Sequence, residues 1–263
     1  SFLSLIAWGL GYYGQPHLLA RFMAAKSLKE VHSARRIAMT WMIISMIGAL
    51  MVGYFSIGYF AGSEQATLLA GDHEKVFIVA TQVLFNPWVA GFLLAAILAA
   101  VMSTIDSQLL VSSSAITEDF YRVFFHKQAS DKELVWVGRI SVLAIAAIAI
   151  LIALDKNSQV LGLVSNAWAG FGAAFGPVVL LSLVWRNMTR SGALAGMLTG
   201  AITVILWIAF KGQVGGWVGG TYEMIPGVIL ATLAILLVSR LEQPSSEMLA
   251  TFDQVDSVVK SES

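Results

Sequence analysis

The sequence predicts an all-α integral membrane protein of about seven transmembrane helices. Three observations carry that expectation. Of 263 residues, 57% are hydrophobic and only 12% charged, with a mean hydropathy of +0.77, whereas a soluble domain keeps roughly a quarter of its residues charged. The apolar residues fall in blocks of about 20, the length an α-helix needs to cross a hydrocarbon core about 30 Å thick. The basic residues cluster in alternate connections between those blocks.

Taken in order, the expected spans are 1–20, 39–60, 87–116, 134–154, 158–185, 193–211 and 222–239. Asp72 to Phe85 is mixed in character and too short to cross, so it is expected as an external helix or loop. Strict alternation leaves only Lys75, Lys156 and Lys211, of sixteen Lys and Arg, on one side. The crowded side, which carries Arg21 to Arg36, Arg122 to Arg139, Arg186, Arg190, Arg240 and Lys260, is then cytoplasmic, because basic residues resist translocation. The polar tail 241–263 falls on that side and is expected to be poorly ordered. The chain opens SFLSLIAWGLGYYG, inside an apolar stretch and without a basic leader, and is read as the C-terminal part of a longer protein.

Composition narrows the function classes. A net charge of zero provides no footprint for nucleic acid. Without cysteine there are no disulfides, thiolate metal sites or Cys nucleophiles. No GxxxxGK[ST] loop is present to hold ATP. The expectation is a membrane protein that is not an enzyme and has the lipid bilayer as its surroundings.

Spans normally stay helical to hide backbone polarity, so broken or polar spans are where function is sought. The first span holds Gly9, Gly11, Gly14 and Pro16 in WGLGYYGQPH, and glycine and proline cost about 1 and 3 kcal/mol in a helix interior. Such a segment unwinds easily and frees backbone groups for a ligand. Trp8, Tyr12 and Pro16 are four apart and share a face wherever helix persists. Two readings stand: an aromatic belt at the membrane surface, or a face turned to a solute.

The third span contains AAILAAVMSTIDSQLLVSSS. Ser103 and Thr104 follow Ala100 by three and four residues, and their hydroxyls can turn back toward the Ala100 carbonyl. Three neutral oxygens at one spot make part of a shell for a small hard cation such as sodium. The alternative is hydroxyl-mediated helix packing. Asp106, in the same span, is a pathway candidate because acids inside spans are costly; facing a wet vestibule or pairing with a loop Arg are its other readings. In the fifth span, Gly172 and Gly176 of SNAWAGFGAAFGP form a small-xxx-small pair suited to close packing.

The stretches GLGYYGQPHLLARFMA, AAILAAVMSTIDSQLLVSSSAITEDFYR and NAWAGFGAAFGP resemble the sodium:solute symporter family. The resemblance implies a LeuT-like fold of two inverted five-helix repeats. Residues 1–185 would be the second repeat, 186–240 two peripheral helices and 241–263 the cytoplasmic tail. It also implies sodium-coupled uptake of a small solute in a bacterial cytoplasmic membrane, with sodium as coupling ion and no cofactor. Ala100 would supply a backbone oxygen, and Ser103 and Thr104 hydroxyls, to sodium. Trp8, Tyr12 and Pro16 would lie near the substrate. The GQP-H stretch points to L-proline; another organic or amino acid, pantothenate, or a symporter-like sensor domain are the alternatives.

Overall fold

The computed structural model describes residues 7–154, 159–213 and 216–262, and among these every regular element is helical. A short helix at residues 7–10 runs into a 3₁₀ turn, Gly11–Gly14, and then α1 (Pro16–Met23). There follow α2 (Leu28–Tyr59), α3 (Glu64–Gly71), α4 (Val76–Leu84), α5 (Pro87–Ser114), α6 (Asp131–Ala153), α7 (Val160–Val184), α8 (Arg190–Phe210), α9 (Met224–Leu241) and α10 (Ser246–Glu262). α5 continues as a π-helix over Ala115–Phe125. Six of these helices, α2 and α5 to α9, are long and apolar enough to cross a membrane.

Local chemistry sets the helix starts. The Ser27 hydroxyl accepts from the Glu30 amide at 3.3 Å while the Glu30 carboxylate accepts from the Lys26 amide at 3.2 Å, closing the first turn of α2. Asn86 accepts from the amides of Trp88 and Val89, both at 3.1 Å, and Pro87 opens α5 where no N–H is needed. Thr189 caps α8 by accepting from the Gly192 amide at 3.1 Å.

The chain forms two compact units. The first gathers the segment through Ala24 with the chain from Ala147 onward. Its centre is α7, α8 and α9 packed together around the buried residues Ala169, Ala173, Val204, Met224, Ala231 and Ile235. Gly192, Gly196 and Gly200, four apart on α8, remove side chains where α9 and α7 cross. A Cβ on Gly196 would sit 2.7 Å from Ile235 Cδ1, and one on Gly200 would sit 2.7 Å from the Ala173 carbonyl carbon. Such contacts supply the dispersion that holds helices together where lipid is as apolar as leucine. At one end of the pair, Thr189 and Ser239 are buried and bonded, with the Thr189 amide donating to Ser239 Oγ at 3.1 Å. At the other, Lys211 Nζ meets the buried Glu223 carboxylate at 3.1 Å.

The second unit runs from Ala25 to Ala146. Here the π-helical extension of α5 packs on the start of α6. Ser113 donates to the Gly138 carbonyl at 2.9 Å, and Thr117 donates back to the Ser113 carbonyl at 2.8 Å. Below them Tyr121 Oη and His126 Nδ1 both reach Glu133 Oε1, at 2.7 and 2.8 Å. α2 shows Trp41, Ile44, Ile47 and Leu50 on its surface, an arrangement that carries no cost in lipid.

The first span unwinds among its described residues, as its glycines and proline lead one to expect: it breaks at Gly11–Gly14 and restarts at Pro16, and residues 1–6 lie outside the described residues. Several other expectations are revised. α2 begins eleven residues before the expected span, because a well-capped basic turn extends the helix past the apolar block. α5 likewise runs on to Phe125 through its π-helical turns. Lys156, used in the topology, lies outside the described residues. The tail, expected to lack order, contains α10. Asp253 of that helix accepts a two-pronged ion pair from Arg186, with Nε and Nη2 each at 2.8 Å. A groove lined by Leu183, Trp185, Met188, Met248, Phe252 and Val255 adjoins the pair. Charge alone suggested a solvated tail; the fork geometry of one guanidinium adds a specific anchor.

Two outcomes test this packing. Gly200→Ala is expected to destabilise the purified protein by about 1–3 kcal/mol, read as a lower thermal midpoint, because its new methyl meets backbone that cannot step aside. Arg186 holds the Asp253 carboxyl below its ordinary range by hydrogen bonding and charge. The pair is therefore intact above the unfolded carboxylate pKa of about 3.9 and is lost as pH falls through the lowered folded value. A spin label at Gln254 should keep low mobility from pH 8 to about 4 and gain mobility below that; Asp253→Asn should give the mobile spectrum at every pH.

Candidate functional site

The break in the first segment follows from Pro16. Its ring has no N–H and would clash with the carbonyl four residues back, that of Tyr12, in a continuous helix. It also drives the preceding residue out of the helical region. Gln15 accordingly sits extended at φ −86°, ψ 112°, and α1 starts afresh with Pro16 at its first position. Among the described residues, the Tyr12 carbonyl takes a long contact, 3.4 Å, from the Gln15 amide.

α7 receives this unwound turn. Gly11 and Gly14 are buried against it. A Cβ on Gly14 would strike the Phe171 carbonyl, one on Gly11 the Trp168 indole, and one on Gly172 would lie 2.8 Å from Gly11 Cα. Gly172 thus serves the close packing expected of it, and its partner in that packing is the broken segment. The indole Nε1 of Trp168 donates to the Trp8 carbonyl at 2.9 Å. The buried Gln15 side chain points its Nε2 at the Trp168 carbonyl, 3.5 Å away.

Aromatic rings surround the turn. The Trp8 ring stacks with Trp168, with centroids 5.6 Å apart and planes 14° apart, and with Tyr222, at 6.0 Å and 17°. Tyr12 meets Trp168 edge-on at 4.9 Å and remains 48% exposed. Trp8 and Tyr12 therefore both contact the Trp168 ring, while Pro16 ends the break. Tyr12 can offer a ring edge and a hydroxyl to a ligand; Trp8 is committed to the stack.

Ala100, Ser103 and Thr104 lie in the middle of α5, on surface exposed in the second unit. Thr104 Oγ1 turns back to the Ala100 carbonyl at 3.4 Å, and Ser107 donates to the Ser103 carbonyl at 2.9 Å. The Ala100 carbonyl also serves the helix ladder, while the Thr104 hydroxyl, which is the donor in this contact, keeps its own lone pairs available to accept. Asp106 is exposed one turn on and makes no ion pair among the described residues.

Sequence reasoning did not single out Trp168, Tyr222 or Gln15. One signal was available. Trp168 lies four residues before Gly172, on the same face, and a half-buried indole N–H requires an acceptor. Which acceptor could not be read, because the Trp8 carbonyl lies 160 residues away.

Comparison with known proteins gives a consistent picture. The model of the sodium:solute symporter family matches residues 1–200. The chain is 57% identical over 260 residues to the sodium/proline symporter of Haemophilus influenzae, covering 98% of this chain and 51% of that protein. It is 57% identical over 259 residues to the sodium/proline symporter of Escherichia coli, covering 97% and 50%. To the high-affinity proline transporter PutP of Bacillus subtilis it is 53% identical over 245 residues, covering 93% and 50%. The chain spans about half the length of these relatives.

The close approach of the unwound turn to α7 gives a paired test on one helix. Gly172→Ala is expected to lower the thermal midpoint, since its methyl meets Gly11 Cα and the Met224 side chain. Gly170→Ala, two residues away and facing open space, should leave the midpoint unchanged or raise it, because Ala is the better helix former by about 1 kcal/mol.

Proposed function

Because this chain belongs to the sodium:solute symporter family, we propose that it forms part of a carrier for the sodium-coupled uptake of a small zwitterion, with L-proline as the leading solute. The observation that carries the reading is 57% identity to proteins named sodium/proline symporters, extending through both the broken segment and the Ala100–Thr104 turn. The carrier moves its solute by alternating access and performs no covalent chemistry, so no cofactor is needed beyond the coupled ion.

In this reading the carbonyl of Ala100 and the hydroxyls of Ser103 and Thr104 cradle sodium, which is cargo. Neutral oxygens suit the task. They replace part of the ion's water shell without the fixed charge that would trap it. The contact of Thr104 Oγ1 with the Ala100 carbonyl, at 3.4 Å, supports the convergence of two of the three ligands. Tyr12 and the unwound backbone beside Trp8 and Pro16 face the solute, where freed amides and carbonyls can meet its carboxylate and ammonium. Asp106 lines the pathway toward the ion site.

The fold proposed for the whole carrier is the LeuT-like pair of inverted repeats. Residues 1–185 make up the second repeat, 186–240 contribute two peripheral helices, and 241–263 form a cytoplasmic tail. The carrier lies in a bacterial cytoplasmic membrane. Coupling to one ion is sufficient. A membrane potential of about 100 mV provides about 2.3 kcal/mol per sodium, and a tenfold gradient adds about 1.4 kcal/mol. Together these sustain a solute ratio of about 500-fold.

The test is sodium dependence in the full-length protein. Thr104→Ala is expected to raise the sodium concentration for half-maximal proline uptake by about tenfold, the cost of one weakened ligand, with membrane levels unchanged. Unaltered sodium dependence in both Ser103→Ala and Thr104→Ala would remove the ion site from α5.

A further inference from the structure

Trp168 belongs neither to the broken segment nor to the proposed ion site, yet it touches the broken segment in three ways. Its indole N–H donates to the Trp8 carbonyl at 2.9 Å. Its ring stacks on the Trp8 ring at 5.6 Å and takes the edge of Tyr12 at 4.9 Å. Its carbonyl lies 3.5 Å from the buried Gln15 amide group. The Tyr222 ring also stacks with Trp8, at 6.0 Å, and Tyr222 is itself tied to α7, its hydroxyl donating to the Ser165 carbonyl at 2.9 Å. Both jaws of the stack are thus fixed to one helix, and Ser165 and Trp168 are three residues apart on it.

We propose that Trp168, with Tyr222 as its counterpart, is a positioning residue that fixes the unwound turn and aims Tyr12 at the solute, so that α7 sets solute affinity without contributing a solute ligand of its own. The inference rests on the reading that the broken segment faces the solute. The physical case is one of preorganisation. An unwound turn with an unpaired carbonyl relaxes toward other conformations unless something holds it, and each such conformation lowers the fraction competent to bind. The Trp168 N–H gives the Trp8 carbonyl a partner. The stack holds the Trp8 ring against Trp168 and Tyr222. Gly11 has no side chain because the indole occupies that space. Tyr12, held at its edge and still half exposed, is the ring of the cluster best placed to meet a ligand.

The expected signature is a split between affinity and turnover. In the full-length protein, Trp168→Phe keeps an aromatic ring but removes the N–H. It should raise the half-saturating proline concentration about tenfold, the ordinary worth of one buried hydrogen bond. Maximal uptake and half-saturating sodium, measured at saturating proline, should stay within about twofold. Trp168→Leu, which also loses the stack, should raise half-saturating proline further. Tyr222→Phe, which frees one jaw from Ser165, should give a smaller rise of about threefold, and the double variant Trp168→Phe/Tyr222→Phe should fall short of the product of the two. Equilibrium proline binding to purified protein repeats the comparison for any variant with reduced membrane levels. Unchanged proline affinity in Trp168→Phe, or an equal fall in maximal uptake and proline affinity, would overturn the positioning role. Tyr12→Leu separates the two levels of the argument: if it leaves proline affinity unchanged, the solute-facing reading of the broken segment fails; if it abolishes binding while Trp168→Phe does not weaken it, only the role of Trp168 fails.

Discussion

A polypeptide inside lipid has nowhere to hide an unpaired amide or carbonyl except against itself. The unwound turn between Leu10 and Pro16 exists under that constraint. Pro16 forbids the continuous helix, and the glycines at positions 11 and 14 let the freed backbone lie directly on α7. There the Trp168 indole takes up the Trp8 carbonyl, and the Gln15 side chain is buried beside it. Take away the glycines and the turn is pushed off its support. Take away the indole N–H and the Trp8 carbonyl loses that donor. The rest of the first unit can be seen as the scaffold for this contact: the glycine stripe on α8 lets α7, α8 and α9 close on one another, and Met224 and Tyr222, at the start of α9, come to rest on the broken segment.

The second unit treats polarity differently. α5 stays helical where the ion is proposed to bind, and its polar groups are side-chain hydroxyls bonded back to their own helix, as Thr104 is to Ala100 and Ser107 to Ser103. A hydroxyl parked on a carbonyl is satisfied without a ligand and can still turn a lone pair outward. That suits the proposed site, which must fill and empty in every cycle, because the Thr104 hydroxyl has a partner when no ion is bound. The helix tightens its contacts further along, where the π-helical turns bring Ser113 and Thr117 against Gly138 of α6.

Much of the architecture was legible because the governing signals are local. Apolar block length located α5 to α9 to within about three residues, whereas the caps at Asn86-Pro87 and Thr189 that set two of those starts emerged only from the structure. The break at WGLGYYGQP was legible for the same reason, as it follows from Pro16 and three glycines. The extent of α2 was not, because apolar length says where a helix crosses and not where it ends; Ser27 and Glu30 carry it on into polar surroundings. α10 escaped notice because its anchor is a pairing of Arg186 with Asp253, 67 residues apart. The same holds for the site. Spacing singled out Trp8 and Tyr12 as candidates, whereas their contacts with Trp168 and Tyr222 join residues brought together only by the packing of α7 against the turn.

Proline binding at equilibrium, measured on the purified full-length protein over a range of sodium concentrations, tests the coupling of solute to ion most directly. Affinity for proline should rise at least tenfold as sodium is added and saturate with it, with potassium unable to substitute. Proline affinity that is the same with and without sodium would contradict a sodium-coupled carrier, however well the helices pack.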